Sequence, residues 1–311
     1  MRLQPEVVMW IAVLGVWCSA VPFACARELP PTLRDRPAAP LSQAIAPHIV
    51  DLQRQQSQSP AAVLDRLAAA DVVYLGEVHD RAADHRIQLE ILQALRSRRP
   101  LIIGMEMFQR PFQAALDDYI AGRIPEPELV KRTEYTTRWR FDWELYAPIL
   151  RFARQHQLPV VALNPPGDVV RTVARQGLEG LKDRDRQWIP APAEIRLEPE
   201  SYRERLRQLY DSFHHSQGNT ASFDRFFLAQ VVWDETMAEQ VAIALKQSPD
   251  SLIVVLAGQG HILYRDGIPQ RVARRVPQRA QRPLRQVTVI LNPEADIPPT
   301  AAVADYFWSA P

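Results

Sequence analysis

Cysteine is nearly absent from this 311-residue chain: the two present, Cys18 and Cys25, both lie near the N-terminus. If that segment is removed, neither a disulfide framework nor a cysteine metal site remains. Lysine is equally scarce, with Lys131, Lys182 and Lys246 set against 34 arginines. The 37 basic and 36 acidic residues leave a net charge of +1. Nothing of that size pulls a protein toward nucleic acid or an anionic membrane, so nucleic acid is not expected as a partner. The chain also lacks a Gly-x-Ser-x-Gly elbow, a Walker loop and a His-Glu-x-x-His helix. Gly258-x-Gly260 lacks the third glycine of a dinucleotide loop. No repeat, heptad pattern or low-complexity tract suggests a solenoid or coiled coil.

What is present begins with an uncharged run, residues 7–21, ahead of Ala24-Cys25-Ala26. That suits export with a signal-peptidase cut and removal of residues 1–26. Retention of the run as a membrane anchor is the structural alternative, since the basic region before it is weak. A lipid on Cys25 is a second alternative, though Pro22 makes a poor lipobox. Residues 27–59, rich in Pro, Gln, Ser and Ala, read as a linker. The folded domain is expected over 60–292, with 293–311 as a tail.

Within it, Asp71–Asp80 (DVVYLGEVHD) organises the rest. Val72, Val73, Tyr74 and Leu75 read as a strand buried on both faces. Gly76 allows close approach, Asp80 is placed to cap the next helix, and Glu77 and His79 stand at the strand's mouth. Further strands are expected at 101–107, 160–164, 251–257 and 286–292, separated by helices near 82–98, 111–121, 144–157, 221–247 and 268–276. Strand and helix alternation predicts an α/β fold: a mostly parallel central sheet with helices on both faces. The polar, proline-broken stretch 167–217 reads as a helical cap.

In a parallel sheet the strand ends share one edge, so Glu77, His79, Glu106, Asn164 and His261 are expected in one pocket. Each alone is more often a cap or a solvated loop residue; their convergence is the functional argument. Asp234 falls on the apolar arc of the 221–247 helix with Gln230 beside it, so it should face inward and need a partner. His85 is a further candidate for the site but, at the margin of its helix's apolar face, reads first as a surface or interface residue, and His214 and His215 read as a solvated helix end. Trp139, Phe141, Trp143 and Tyr146 read first as packing and second as a wall for a flat apolar ligand.

Six blocks carry a resemblance: LGEVHD at 75–80, His85, GMEMF at 104–108, LPVVALNPP at 158–166, AQVVWDETMA at 229–238 and AGQGHILYRDGIP at 257–269. In this order they resemble the ChaN-type haem-binding uptake family, in the superfamily of Tiki metalloproteases and erythromycin esterases. The resemblance implies the α/β domain with its cap, export to the periplasm or cell envelope, often as a lipoprotein, and binding of haem or another tetrapyrrole, with homodimers enclosing the cofactor. It makes Glu77, His79, Glu106 and His261 the pocket residues, catalytic in hydrolytic relatives. It implies a tyrosine on haem iron, for which Tyr146 and Tyr135 are the expected residues. A metal-assisted hydrolase using a divalent metal at His79 or His261 is the alternative. Seven arginines between Arg265 and Arg285 face one acid, Asp266. They read as a solvated basic face, with Arg265, Arg271 or Arg274 as the alternative partners of haem propionates.

Overall fold

The computed structural model describes residues 47–214 and 223–311. The expected leader, both cysteines and His215 lie outside these residues. Strands β1 (His48–Asp51) and β2 (Gln56–Ser57) come first, then helix α1 (Pro60–Ala68), β3 (Val72–Glu77), α2 (Ala82–Arg96) and β4 (Leu101–Gln109). Helices α3 (Gln113–Ile120), α4 (Glu126–Arg132), α5 (Tyr135–Arg138) and α6 (Trp143–Gln155) lead to β5 (Val160–Asn164). Then follow α7 (Gly167–Gln176), α8 (Asp183–Arg186), α9 (Glu200–His214), α10 (Phe223–Gln247), β6 (Leu252–Gly258) and α11 (Ile268–Arg275). The chain closes with β7 (Gln278–Arg279), β8 (Arg282–Pro283), β9 (Gln286–Leu291) and β10 (Tyr306–Ser309).

Eight strands form one sheet in the order β2-β1-β10-β9-β3-β6-β4-β5. From β10 to β5 all neighbours are parallel; β1 alone runs the other way, antiparallel to both β10 and β2. The five strands read from the sequence are all there. The folded unit, however, extends past residues 60–292 at both ends. Val50 and Phe307 face each other across the β1–β10 pair, so parts of the expected linker and tail are sheet strands. Short strands flanked by Pro-rich sequence give little periodic signal, and the tertiary partner decides.

Successive strand residues point to opposite faces. Val73, Leu75, Ile103, Met105, Val254 and Leu256 pack under α1, α2, α3 and α6. Val72, Tyr74, Ile102, Ile253, Val255 and Ala257 pack under α7, α10 and α11. The cap is a third, smaller cluster in which Tyr202 and Tyr210 of α9 meet Phe223, Phe227 and Val231 of α10. At the β5 edge, the Gln113 side chain accepts from Ala162 N (2.7 Å) and donates to Val160 O (2.7 Å). It thereby occupies backbone groups that would otherwise invite another strand. Among the described residues no helix is long and apolar enough to cross a membrane.

Candidate functional site

Parallel pairing in register brings Glu77 of β3 opposite Gly258 of β6, and β6 lies between β3 and β4. The C-terminal ends of β3, β4 and β6 therefore form the crevice. Gly76 is required here: a Cβ at this position would stand 2.9 Å from Ile290 Cδ1 and 3.2 Å from Gln259 Cα. Two polar groups meet in the crevice.

The first is built around Glu77, which is fully buried. Tyr146 donates to its Oε1 at 2.6 Å, His79 Nδ1 lies 2.9 Å from the same oxygen, and Gln88 donates to Oε2 at 2.5 Å. His85 Nδ1 lies 3.4 Å from Oε2, and its ring packs on Tyr146 at 4.4 Å. Burial alone would raise the Glu77 pKa, but His85, His79 and the Tyr146 hydroxyl outweigh it and hold it below the usual range. His85 is thus a buried partner of the site, the second of its two readings, and not a surface or interface residue. The phase of α2 misled because its first turn lies beneath the strand end, where Asp84, His85 and Gln88 are all buried. Asp80 does not cap α2; Asp84 instead accepts from Val78 N at 2.8 Å. His79 is the outermost member, with its side chain 12% exposed and Trp139 and Phe141 packed on its ring at 4.8 and 5.0 Å.

The second group is built around His261, in the short 3-10 turn Gln259–His261 that follows β6. Its Nδ1 lies 2.6 Å from Asp234 Oδ1 and its Nε2 lies 3.5 Å from Glu106 Oε1. Glu106 also accepts from Gly258 N at 2.7 Å, and Asp234 accepts from the Tyr202 hydroxyl at 2.7 Å. Gln230 Nε2 stands 3.2 Å from His261 Nδ1. The inward reading of Asp234 and Gln230 places both against the strand-end pocket, as the helix arc implies. Burial would lower the His261 pKa, yet the carboxylates of Glu106 and Asp234 push it up to about 10. Burial would raise Glu106, and His261 with His79 brings it down to about 2. His79 is raised as well, by Glu77 and Glu106 against burial and against the charge of His261. The two groups therefore form one electrostatic unit.

The tyrosines expected on haem iron do not fit that role. Tyr146 is completely buried and committed to Glu77, and burial together with that carboxylate drives its phenol far above the ordinary range. Tyr135 is 1% exposed, its hydroxyl has no hydrogen-bond partner, and burial raises its pKa strongly. Seven of the eight tyrosines are buried. The exception is Tyr264, part-exposed, three residues beyond His261. Its backbone is left-handed (φ 61°, ψ 4°) and Arg265 follows at φ 63°. For a bulky side chain such a conformation costs about 1–3 kcal/mol and is found where the surroundings impose it. Here Tyr264 N donates to Val303 O at 2.8 Å, and Arg265 Nη2 to Asp305 at 2.7 Å. Gly267 closes the same loop, since a Cβ there would collide with the His261 carbonyl. Sequence reasoning missed Tyr264. The available signal was its place in GHILYRDG, the loop leaving a strand end.

Arg271 does not fit a propionate either. It is 2% exposed, donates to Gly267 O at 3.0 Å and to Asp266 O, and lies 3.4 Å from the buried Glu235. Arg274 and Arg275 also pair with Glu235, Arg265 with Asp305, and Arg279 and Arg282 with Asp71. Six of the seven arginines of the run are thus engaged with carboxylates, and Arg285 is exposed. Those six neutralise carboxylates that are distant in sequence, which a count of local acids could not reveal. Among the described residues no group of three or more His, Cys, Asp or Glu is arranged to hold a metal ion.

Comparison with known proteins agrees with this architecture. Residues 63–272 match the model of the family described as haem-binding uptake, Tiki superfamily, ChaN. The Arabidopsis thaliana protein RETICULATA-RELATED 5, chloroplastic, is 28% identical over 276 residues, covering 79% of this chain. The chain spans only 35% of that relative's length. A solved structure described as cofacial heme binding to ChaN of Campylobacter jejuni superposes with a TM-score of 0.66 at 20% identity, covering 84% of this chain and 96% of that one. At that identity the likeness is one of fold. An erythromycin esterase variant in its open conformation gives a TM-score of 0.45 at 14% identity, covering 84% of this chain and 81% of its own.

Proposed function

Because the chain belongs to the haem-binding uptake family of the Tiki superfamily, ChaN, we propose that it is an exported protein that binds haem or a related tetrapyrrole at the strand-end crevice. The observation that carries this reading is Tyr264, the one tyrosine outside the buried class, held in a left-handed loop directly after His261. Its phenolate would hold the iron. A bound haem supplies a ferric centre that prefers a hard anionic oxygen, and tyrosinate ligation is established haem chemistry. Trp139 and Phe141, packed about His79 at the outer side of the crevice, provide apolar surface of the kind a porphyrin buries.

The charge of His261 weighs against the alternative in which that imidazole is the general base of a hydrolase. An imidazole acting as general base must be unprotonated near the working pH. His261, flanked by Glu106 and Asp234 and pushed up to about 10, is an imidazolium there. Its role is to keep two buried carboxylates neutralised and the crevice rigid. A haem held on one face by a single protomer leaves its other face to water, so a homodimer enclosing the cofactor belongs to the same proposal. Export rests on residues 7–26, and a lipid on Cys25 is the form it takes if the cysteine is retained. Titrating the purified chain with hemin tests the proposal. A Soret shift saturating at a defined stoichiometry is expected; spectra that are the sum of free hemin and protein would remove it.

A further inference from the structure

Within the haem-binding reading, on which this inference rests, we propose that Arg205 of α9 recognises a free carboxylate on the edge of the tetrapyrrole, so that the site selects acidic over esterified ligands. The loop that presents Tyr264 is surrounded by arginines, but most have other duties. Arg265 donates to Ala301 O and pairs with Asp305. Arg271 donates to the Asp266 and Gly267 carbonyls. Arg274 and Arg275 are bound to Glu235. Removing Arg271, Arg274 or Arg275 would weaken the pairing of the buried Glu235.

Arg205 differs in placement. Its guanidinium carbon lies 4.1 Å from the centre of the Tyr264 ring, and its side chain is 30% exposed. The stack fixes the plane of the fork while leaving its edges open to hydrogen bonding. Its acidic neighbours are Asp266, with which it pairs, and Glu204. A guanidinium carries five N–H donors, so one edge can remain on Asp266 while another takes a second carboxylate.

The placement is also pre-set. One turn earlier on α9 Tyr202 donates to the buried Asp234, and on either side of Arg205 the guanidinium groups of Arg203 and Arg207 lie over the Phe223 ring at 5.1 and 3.8 Å. These contacts anchor α9 on α10, so Arg205 is held over Tyr264 before any ligand arrives, which lowers the ordering cost of binding. The phenol and the guanidinium thus present a hard anionic ligand and an anion receptor side by side. A metalloporphyrin with acidic side chains offers the complement of both.

Hemin and hemin dimethyl ester, titrated in the same dilute detergent buffer, separate the two contributions. The wild-type chain should bind hemin at least about tenfold more tightly than the diester, the scale of one charge-assisted hydrogen-bonded pair. Arg205→Gln should weaken hemin by about that factor and leave the diester unchanged, whereas Asp266→Asn, by releasing the fork, should tighten hemin. Equal binding of hemin and its diester by the wild type, or a preference that survives in Arg205→Gln, overturns the role of Arg205 and leaves the haem reading standing. Failure of the wild type to bind hemin at all removes both.

Discussion

Replacing His261 by asparagine leaves Glu106 and Asp234, at 1% and 0% exposure, without their shared cation. Breaking a buried ion pair from one side costs about 3–5 kcal/mol, and denaturant unfolding should show a loss of that size. The same residue gives the protein a pH signature. His261 has a folded pKa raised from 6.5 to about 10, so its contribution is complete below about 6.5 and lost as pH rises through 10. Glu106, depressed from 4.5 to about 2, contributes above about 4.5 and loses that contribution as pH falls toward 2. Stability should decline from pH 6.5 to 10 in the wild type, and the slope of that decline should be shallower in His261→Asn. A wild-type profile flat over this range would contradict the assignment of the charge. Tyr135 behaves differently, because its buried hydroxyl has no partner. Tyr135→Phe should be neutral or slightly stabilising, since it removes a desolvated group and breaks no bond.

At the scale of elements, legibility followed how much of each signal was local. The strands at Val72, Leu101, Val160, Leu252 and Gln286 announce themselves as apolar runs, and all carry polar residues into one edge. Asp234 was legible because twenty-five residues of one helix define its phase. What failed depended on partners far along the chain. β10 is a strand because β1 and β9 flank it, and His85 is buried because Glu77 lies above the first turn of α2. Tyr146 was a reasonable aromatic to pick and turns out to be fully sequestered, whereas Tyr264 lies in a loop whose backbone conformation no composition reveals. The arginine run is the strongest case. Glu235 of α10 collects Arg271, Arg274 and Arg275 of α11 and so fastens those two helices together. Glu235→Gln should therefore destabilise by about 3–5 kcal/mol, as the one-sided loss of a buried pair does. Thermal unfolding reads this, and hemin affinity measured below the transition should be unchanged. A loss of affinity without a loss of stability would return these arginines to the ligand.

For the whole molecule, the six sequence blocks read as a family resemblance are distributed over the same span that the family model covers, residues 63–272. They are the strand ends, the α2 start and the inward face of α10, which is why a scatter of short motifs amounts to one site. The fate of the N-terminus belongs to this scale too. If the chain is exported as proposed, mass spectrometry of the envelope-located protein should find residues 1–26 removed, or Cys25 as a lipid-modified first residue. An intact, unmodified Met1 on envelope-located protein would contradict that. The account as a whole turns on which phenol meets iron. Hemin titrations of the wild type, Tyr264→Phe and Tyr146→Phe, each confirmed folded by circular dichroism, test this most directly. The account predicts a saturating Soret shift in the wild type and in Tyr146→Phe and its loss in Tyr264→Phe; a shift that persists in Tyr264→Phe and vanishes in Tyr146→Phe would contradict it.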